Sequence, residues 1–460
     1  MLTYPMEERG GLPLYEYLYQ RIRADILDGK LITGERLPSK RALAEHLQVS
    51  VITVESAYQQ LEAEGYVYTQ PKRGFFVSPV DRVPAPAAPS PIPAEAAAPA
   101  WRLDLSRNQS DTSRFPVATW ARLTRQVLSE GSFLAPAPHQ GLLELRQAIA
   151  DDLRDFKGMA VLPEQIVVGA GAEYLYLLLA QLFGKSAVFA VEDPGYPKIR
   201  QVYDKCGALC RPVPLDAQGI APEALTAAGA TIVHISPTHH YPTGLVTPIG
   251  RRQALLRWAE ETDGYIIEDD YDSEFRFTGR PIPTLQSIDS GGRVVYMNTF
   301  SQTISPSMRV GFMVLPPRLL EYYRKELDFY ACTVPVLDQH VLARFLSGGH
   351  YEQHLSRMRK EYRTRRSAVI DAFQNSVFAN RVTFSEQEAG LHFLLRLNTN
   401  QRDDVLREKA AQLGVKLGFL SEYAAAPDHS YDHTLVVNYA GLDPSRLGEA
   451  VHLLEQIFTE

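Results

Sequence analysis

The residues of this chain that are best suited to chemistry lie in polar segments, each directly after a short apolar run. The runs have the length and composition of β-strands, and helical patterns alternate with them, which indicates an α/β domain with a mainly parallel sheet. In such sheets a ligand binds at the carboxyl ends of the strands. We therefore expect one binding site where the segments meet. They are residues 169–173, 192–196, 236–244, 268–272 and 298–303.

Two of these segments suit a phosphate group. Residues 169–172 are small and lead into a helix, whose N-terminal amides and dipole attract an anion. The last segment supplies the hydroxyls of Thr299 and Ser301, and Arg309 follows shortly after it. Two hydroxyls and an arginine would complete a phosphate cup. The first pattern is weak when taken alone, because many turns between a strand and a helix contain small residues.

The other segments suit a planar ring. Tyr196 could stack on such a ring, although an ordinary turn tyrosine fits the segment equally well. The run 268–272 contains four acidic residues, so a carboxylate could face a protonated ring nitrogen while Tyr271 bonds a ring hydroxyl. A solvated acidic loop is the alternative. His239 and His240 are adjacent, and neighbouring residues cannot readily share one metal geometry, so no metal site is predicted.

Length and composition place these segments in a large globular chain. Its 460 residues are too many for one hydrophobic core, so two or more domains are expected. With 45% hydrophobic and 22% charged residues, a disordered chain, a collagen-like chain and a disulfide scaffold are excluded. The chain has three cysteines and no recognisable secretory signal or membrane-length apolar run, which predicts a soluble, cytoplasmic protein with reduced thiols.

A proline-rich stretch divides the chain. Residues 81–100 contain eight alanines and six prolines. Repeated proline prevents both helix and sheet pairing, which leaves an extended, semi-stiff spacer. We expect one domain at 12–80, an interdomain linker at 81–100 and a larger domain at 101–460, of which about 345–460 form a small α+β subdomain.

The first domain has the pattern of three helices followed by a hairpin. Apolar residues recur every four positions over 14–26, and two further helices begin after the N-caps Ser39 and Ser50. Strands at 66–69 and 75–77 flank a cationic turn. The short connection between the second and third helices is typical of a helix-turn-helix, to which the hairpin adds a wing.

The polar groups of this domain favour DNA binding over a small helical docking domain, which is the alternative. Nine Lys/Arg and ten Asp/Glu in residues 1–80 give a net charge of −1, so binding must depend on local clusters. The candidates are a phosphate-binding helix N-terminus, the groove-facing turns of the third helix and the cationic wing. They are Ser39, Lys40 and Arg41, then Ser50, Thr53 and Ser56, and finally Lys72 and Arg73.

Residues 12–78 resemble the GntR-type winged helix. The resemblance is carried by the stretch GERLPSKRALAEHLQVS, by TVESAYQQLEAEGYV and by the glycine of the wing. It implies that the partner is a double-stranded DNA operator. One departure is Val51, which stands where the family usually has an arginine, so the sequence preference of the family does not carry over to this chain.

The polar segments of the larger domain resemble, in order and spacing, the fold-type I aminotransferases that use pyridoxal 5′-phosphate. Behind a GntR-type head, the combination resembles the MocR/GabR class of transcriptional regulators, which implies a homodimer. Asp269 would then pair with the ring nitrogen, Tyr271 would contact the 3-hydroxyl and Tyr196 would stack on the pyridine. The residues that would hold the phosphate are Gly171, Ala172, Thr299, Ser301 and Arg309.

Three positions depart from the aminotransferase pattern. Gln302 stands where the family has its Schiff-base lysine, and a carboxamide can neither form that bond nor act as the general base. The partner-subunit tyrosine of relatives would fall near Pro136, and the arginine that clamps a substrate carboxylate would fall near Val436. Three losses around one pocket favour a natural variant over an engineered change at Gln302, which would leave the other two unexplained.

The sequence thus predicts a DNA-binding transcriptional regulator without enzymatic activity. Its aminotransferase-like domain would sense pyridoxal phosphate or a related B6/amino-acid adduct, held non-covalently because Gln302 replaces the lysine. Ligand binding would shift the two winged helices of a dimer through the linker. One alternative is a true aminotransferase whose helical head only docks. Another is a constitutive DNA-binding scaffold with a vestigial pocket.

Overall fold

The structure is a computed structural model of the 460-residue chain. It falls into two compact units, of which the first contains residues 1–81 and the second begins at residue 100. Except for its two end residues, the predicted linker 81–100 lies outside the residues that the structure describes. The described residues are 1–81, 100–108, 110–277, 282–385 and 389–458.

The first unit contains three helices and an antiparallel hairpin, as predicted. Both predicted serine caps are formed, because Ser39 Oγ accepts from the amide of Ala42 at 3.2 Å and Ser50 Oγ accepts from the amide of Thr53 at 3.0 Å. Gln48 ends the second helix in a left-handed conformation, which permits the short turn before the third. The elements are α1 (Leu14–Leu27), α2 (Lys40–Leu47), α3 (Val51–Ala63), β1 (Val67–Gln70) and β2 (Gly74–Val77).

The second unit is built around an eight-stranded, mainly parallel sheet with the order β4-β11-β10-β9-β8-β5-β6-β7. Strands β5, β8, β9 and β10 pair in parallel, and β11 runs antiparallel to both of its neighbours. The strands of this sheet are β4 (Ile166–Gly169), β5 (Val188–Asp193), β6 (Leu209–Asp216), β7 (Gly219–Ile220), β8 (Ile232–Ile235), β9 (Tyr265–Asp269), β10 (Val294–Thr299) and β11 (Gly311–Val314).

The remaining strands form two smaller sheets. An antiparallel sheet with the order β12-β13-β15 lies in the C-terminal part, which confirms the small α+β subdomain, and β14 pairs in parallel with β3 near the start of the unit. These strands are β3 (Leu103–Asp104), β12 (Val382–Ser385), β13 (His392–Leu397), β14 (Val415–Lys416) and β15 (Thr434–Asn438).

Helices cover the large sheet and the small subdomain. α6 follows β4 after a turn of small residues, and its side chains Leu175, Leu178 and Leu179 are buried in a core that also contains strand residues. The helices are α4 (Val117–Glu130), α5 (Leu143–Asp152), α6 (Ala172–Phe183), α7 (Pro197–Lys205), α8 (Pro222–Ala227), α9 (Ile249–Glu261), α10 (Pro317–Glu326), α11 (Val336–Ser347), α12 (His350–Gln374), α13 (Asp403–Gln412) and α14 (Leu447–Phe458). Within the described ranges, none of these helices combines the length and apolarity that a membrane crossing requires.

The structure extends the sequence predictions in two places. The predicted strands of the larger domain are all present, but β5, β9 and β10 continue for two residues into the polar segments, so that Asp269 and Thr299 lie at strand ends rather than in loops. The strand β6 was not predicted, because Pro212 and Pro214 interrupt its pattern and proline is rare inside a sheet.

Candidate functional site

A cavity lies at the carboxyl ends of β5, β8, β9 and β10. These strands run in the same direction, so they bring the polar segments that follow them to one edge of the sheet. The N-terminal turn of α6 forms a further part of the wall. Seven residues that the sequence singled out line this cavity: Ala172, Tyr196, Asp269, Tyr271, Thr299, Ser301 and Gln302.

Asp269 holds a buried carboxylate at the end of β9. Tyr176 donates a hydrogen bond to its Oδ2 at 2.6 Å, and His234 Nε2 lies 3.4 Å from the same oxygen. On the other side of the imidazole ring, His234 Nδ1 is 2.8 Å from the hydroxyl of Tyr203. Burial raises the pKa of both tyrosines well above 10, so both remain protonated. The carboxylate is thus fixed in position and can accept a further hydrogen bond, as from a protonated ring nitrogen.

The N-terminus of α6 and Arg309 lie next to each other, but the cavity is lined by Ala172 and Glu173 of this region and not by Gly171 or Arg309. Gly171 has a φ of +85°, and a Cβ there would lie 2.9 Å from Arg309 Nη2, so a glycine is needed for this close approach. Arg309 and Lys198 pair with Glu173 at 2.5 and 3.3 Å. Burial raises the pKa of Glu173, but the hydrogen bond from Arg309 outweighs it and lowers the pKa to about 2. A bound phosphate would therefore share Arg309 with an ionised carboxylate.

Gln302 lies in the turn after β10 and lines the cavity. Its Nε2 donates to the main-chain oxygen of Asn108 at 3.3 Å and lies 3.4 Å from the Oδ1 of the same residue. Its Oε1 is buried and has no hydrogen-bond partner. This oxygen has almost no accessible surface and lacks the partner that a buried carbonyl oxygen ordinarily has.

Tyr241, which lines the cavity, belongs to an apolar and aromatic cluster that also contains Val436. Val436 is 1% exposed and belongs to a cluster with Tyr241, Leu394 and Leu420. The hydroxyls of Tyr241 and Tyr423 lie 2.9 Å apart and satisfy each other. β15 places this aliphatic side chain where the resemblance puts a carboxylate-binding arginine, and Val436 is not among the residues that line the cavity. Tyr196, Tyr271, Tyr423 and Tyr431 pack against the cluster.

Glu192 and His240 form a buried pair on another wall. Glu192 Oε2 accepts from the amide of Ser236 at 2.9 Å and lies 3.4 Å from His240 Nε2. Burial raises the pKa of Glu192 to about 8 and lowers the pKa of His240 to about 3. At neutral pH both side chains are therefore uncharged, and the contact is not an ion pair.

The two adjacent histidines have different surroundings. His239 Nδ1 is 2.9 Å from Asp272 Oδ1, and His392 Nε2 donates to the carbonyl of Pro242 at 3.0 Å. His239, Asp272 and His392 hold ligand-type atoms within 4.8 Å of one another, and all three are buried. The cavity is lined by His240 and not by this trio. The absence of a metal site stays a prediction.

In the first unit, the residues predicted to contact DNA differ in their exposure and in whether they already form an ion pair. Lys72 and Arg73 are exposed at the tip of the hairpin, where Lys72 has a φ of +63° and the Arg73 guanidinium lies 5.5 Å from the Phe76 ring centre. Lys40 forms an ion pair with Glu55 of α3, so this lysine must exchange one anion for another when it binds a phosphate.

The first turns of α3 combine polar and apolar side chains. Ser50 and Thr53 hydrogen-bond each other through their hydroxyls at 2.8 Å. Val51 and Ile52 are 42% and 74% exposed, and Ser56 is half-buried on the same helix. The predicted groove-facing end of α3 thus presents two aliphatic side chains that sequence reasoning did not include. The remaining predicted contact, Arg41, is exposed on α2.

Sequence reasoning also missed several residues of the cavity. Glu173 lies within the quoted 169–173 segment and Glu192 within 192–196, so a reading of acidic side chains in those turns could have found both. Tyr176, His234 and Asn108 gave no comparable signal, because they reach the cavity from within a helix, a strand and a distant loop.

Comparisons with protein families agree with this division of the chain. Residues 14–77 match the model of the bacterial regulatory proteins of the gntR family, and residues 102–453 match that of aminotransferase class I and II. Among solved structures, the kynurenine aminotransferase of Pyrococcus horikoshii superposes with a TM-score of 0.67 over 77% of this chain and 90% of its own, at 24% identity. That likeness concerns the fold alone.

Several curated relatives match over nearly the full length. The HTH-type transcriptional regulator YdeL of Bacillus subtilis is 35% identical over 96% of both chains. The probable rhizopine catabolism regulatory protein MocR of Rhizobium meliloti is 32% identical over 98% of this chain and 95% of its own. The HTH-type pyridoxine biosynthesis transcriptional regulator PdxR of Corynebacterium glutamicum is 33% identical over 88% of both chains.

Proposed function

Because this chain belongs to the MocR-type HTH transcriptional regulators, with a GntR domain fused to an aminotransferase class I domain, we propose that its second unit is a non-covalent sensor of B6 vitamers. The ligand is pyridoxal 5′-phosphate or a related vitamer or adduct. Its binding changes how a homodimer of the chain engages a DNA operator. One observation carries this proposal, namely that a single cavity is lined by residues that the resemblance assigns to a pyridoxal-type ligand, with Gln302 among them.

The residues of the cavity fit a pyridoxal-type group. Asp269 offers a fixed acceptor for the ring nitrogen, and Tyr196 and Tyr271 line the same space. The N-terminal turn of α6, Thr299 and Ser301 line the cavity as well and would hold the phosphate. In aminotransferases this cofactor supplies an electrophilic carbon and an electron sink. These residues bind and orient such a group, whereas Gln302 offers no nucleophile to it.

The DNA-binding surface that we propose joins α2, α3 and the wing. Ser50, Thr53 and Ser56 lie on the first turns of α3, the part of a recognition helix that enters a major groove. The exposed Lys72 and Arg73 reach the flanking backbone or minor groove. The amides at the start of α2, after Ser39, and the side chains of Lys40 and Arg41 bind phosphates.

Titration calorimetry with the full-length protein tests the ligand part of the proposal. Saturable binding of pyridoxal or pyridoxamine phosphate is expected, and treatment with borohydride should leave no cofactor attached to the chain. The control is Asp269→Asn, which keeps an oxygen for Tyr176 but cannot provide a charged partner for the ring nitrogen. Failure of every vitamer to bind would contradict the proposal.

A DNA experiment tests the regulatory part. A duplex can be selected from a random pool by the wild-type chain, and its affinity measured with and without saturating vitamer at fixed salt. We expect a change of between about fivefold and 150-fold, the usual range of allosteric coupling. A DNA affinity that no vitamer changes would instead support the constitutive DNA-binding scaffold.

A further inference from the structure

We propose that His239, Asp272 and His392 form a binding site for a divalent transition-metal ion, for which Zn²⁺ is the probe. The site goes beyond the proposed vitamer binding, because other residues line the cavity and the two sites can be tested separately. The sequence predicted no metal site, but that prediction considered only the adjacent His239 and His240. The proposed ligands come instead from three segments that are far apart in the chain.

The three side chains come together from different parts of the second unit. His239 follows β8, Asp272 follows β9, and His392 is the first residue of β13. All three residues are buried, and their ligand-type atoms lie within 4.8 Å of one another. Atoms that bind one zinc ion in tetrahedral geometry lie about 3.4 Å apart. An inward shift of each side chain by less than about 1 Å would therefore complete the ligand set.

The hydrogen bonds of the two histidines leave each of them a ring nitrogen for an ion. His392 Nε2 donates to the carbonyl of Pro242 at 3.0 Å, so its Nδ1 carries a lone pair, and this atom has no hydrogen-bond partner among the described residues. His239 Nδ1 lies 2.9 Å from Asp272 Oδ1, while its Nε2 is likewise buried and has no partner in the described part of the chain. A metal-bound histidine usually donates its other ring nitrogen to a carbonyl or carboxylate. Both imidazoles already have such a contact.

The kinds of ligand atom select the kind of metal. Two imidazoles and one carboxylate are typical ligands of zinc, whereas magnesium and calcium are bound by oxygen atoms. Three protein ligands leave the fourth position of a tetrahedral zinc ion open to water or a small ligand. The hydroxyl of Tyr271 lies 3.1 Å from His239 Nδ1, and Tyr271 also lines the cavity. The ion would thus lie next to a side chain of the cavity wall.

An ion at this position would join the small subdomain to the large sheet. His392 belongs to the three-stranded sheet, whereas His239 and Asp272 follow strands of the eight-stranded sheet. The two parts already approach each other closely here, because a Cβ on Gly390 would lie 2.7 Å from Asp272 Oδ2. A metal that binds only the folded chain stabilises it by mass action, so Zn²⁺ should raise the midpoint of unfolding.

Equilibrium dialysis of the full-length chain tests the proposal, after a chelator has removed any metal and Zn²⁺ has been supplied in excess. We expect one Zn²⁺ per chain with a Kd of about 1 μM or less, and no comparable binding of Mg²⁺. X-ray absorption at the zinc edge should show nitrogen and oxygen ligands, with the signature of imidazole. A chain that retains no Zn²⁺, or that binds it through the sulfur of its cysteines, would overturn the proposal.

Conservative variants test whether the ion is held by these three residues. His392→Gln keeps a donor for the carbonyl of Pro242, and Asp272→Asn keeps an oxygen for His239, so both variants should fold. Each should weaken Zn²⁺ binding by at least about 100-fold and abolish the rise in unfolding midpoint that Zn²⁺ gives to the wild type. The control is His429→Ala, which removes an exposed histidine and should leave Zn²⁺ binding unchanged. Unchanged Zn²⁺ affinity in both His392→Gln and Asp272→Asn, or its loss in His429→Ala, would overturn the proposal.

Discussion

The winged helix and the aminotransferase-like domain have departed from their families in similar ways. Each keeps the backbone framework that positions its ligand, including the serine caps of α2 and α3 in one unit and the strand ends around Asp269 in the other. The resemblance assigns each unit a neutral side chain at a position where its family has a cationic one, Val51 in the first and Gln302 in the second. In both units the backbone framework is thus compatible with a changed side chain at the key position.

The two units differ in where their charges lie. Lys72 and Arg73 are exposed, so salt should screen their contribution to DNA binding strongly. Asp269 and Glu192 are largely buried, so their interactions are screened much less. We therefore expect the head to respond to ionic strength and the cavity to respond to pH and ligand chemistry.

Restoring the lysine at the centre of the cavity should produce the largest change. We expect Gln302→Lys to hold pyridoxal phosphate by a covalent, borohydride-reducible bond, because the remaining binding groups are already in position. Mass spectrometry after reduction measures the attachment, and Gln302→Arg is the control, since it adds charge but no nucleophilic amine. If Gln302→Lys carries no cofactor after borohydride reduction, the other binding groups of the cavity have been lost along with the lysine.

Removal of the carboxylate at the end of β9 should have the next largest effect. Asp269→Ala deletes the proposed partner of the ring nitrogen and leaves the hydroxyl of Tyr176 without an acceptor. We expect vitamer affinity to fall by at least about 100-fold, which corresponds to about 3 kcal/mol. Binding of the selected DNA duplex should stay the same in the absence of vitamer. Unaltered calorimetric affinity would remove Asp269 from the site.

The buried Glu192 predicts how the stability of the second unit changes with pH. Burial raises its pKa to about 8, so between its unfolded value of 4.5 and about 8 the folded state holds a proton that the unfolded state releases. Stability from this group is therefore lost as the pH rises. Between pH 6 and 8 we expect the free energy of unfolding of the wild type to fall by about 2 kcal/mol more than that of Glu192→Gln, at 1.36 kcal/mol per pH unit.

Denaturant unfolding of the two proteins at both pH values measures this difference. The direct comparison is needed because burial also raises the pKa of Asp152 and of Glu268 to about 7, and both proteins share these groups. Glutamine keeps an oxygen for the amide of Ser236, so the variant is closely matched in shape. Parallel pH profiles for the two proteins would contradict a raised pKa at Glu192.

Removing the charges of the wing should lower DNA affinity by a smaller factor than the cavity substitutions lower vitamer affinity. It should also change how DNA affinity depends on salt. Replacing both Lys72 and Arg73 by alanine is expected to weaken DNA binding by about tenfold for all sequences, and to reduce the slope of log affinity against log salt by about 2. Lys40→Ala is the comparison, and its effect should be smaller because Lys40 already pairs with Glu55. A wing variant with an unchanged salt slope would show that the tip does not contact phosphates.

The sequence predicted those features that depend on local patterns. Apolar periodicity located the head helices, and the caps Ser39 and Ser50 marked where two of them begin. Apolar runs located the strands whose ends form the cavity. The fold class followed from these elements, because consecutive parallel strands bring their carboxyl ends to one edge.

The part of the site that the sequence did not predict depends on contacts between residues far apart in the chain. Tyr176 and Asp269 are separated by 93 positions, and Arg309 and Glu173 by 136. Such pairs follow from the packing of α6 against the sheet and leave no local pattern. The free acceptor of Gln302 was equally hidden, since it depends on which of its two amide atoms Asn108 engages.

The smallest expected effect concerns the aliphatic end of α3, where the head departs from its family. Val51 and Ile52 are exposed beside the polar first turn of the helix, and aliphatic groups in a major groove contact the methyl group of thymine. If α3 enters the groove as proposed, replacing thymine by uracil in the selected duplex should weaken binding by about fourfold per contacted methyl, from about 0.8 kcal/mol per buried carbon. Ile52→Ala should lower affinity for the thymine duplex by a similar factor and be insensitive to uracil.

Comparing the thymine and uracil duplexes for both the wild type and Ile52→Ala separates groove contacts from general effects of the substitution on the helix. Val51→Arg provides the opposite test, because it restores the family's cation and should raise affinity at low salt while increasing the salt slope by about 1. The uracil effect at Ile52 should persist in this variant if the docking of α3 is retained. Equal affinity of wild type for the thymine and uracil duplexes would show that Ile52 lies outside the groove.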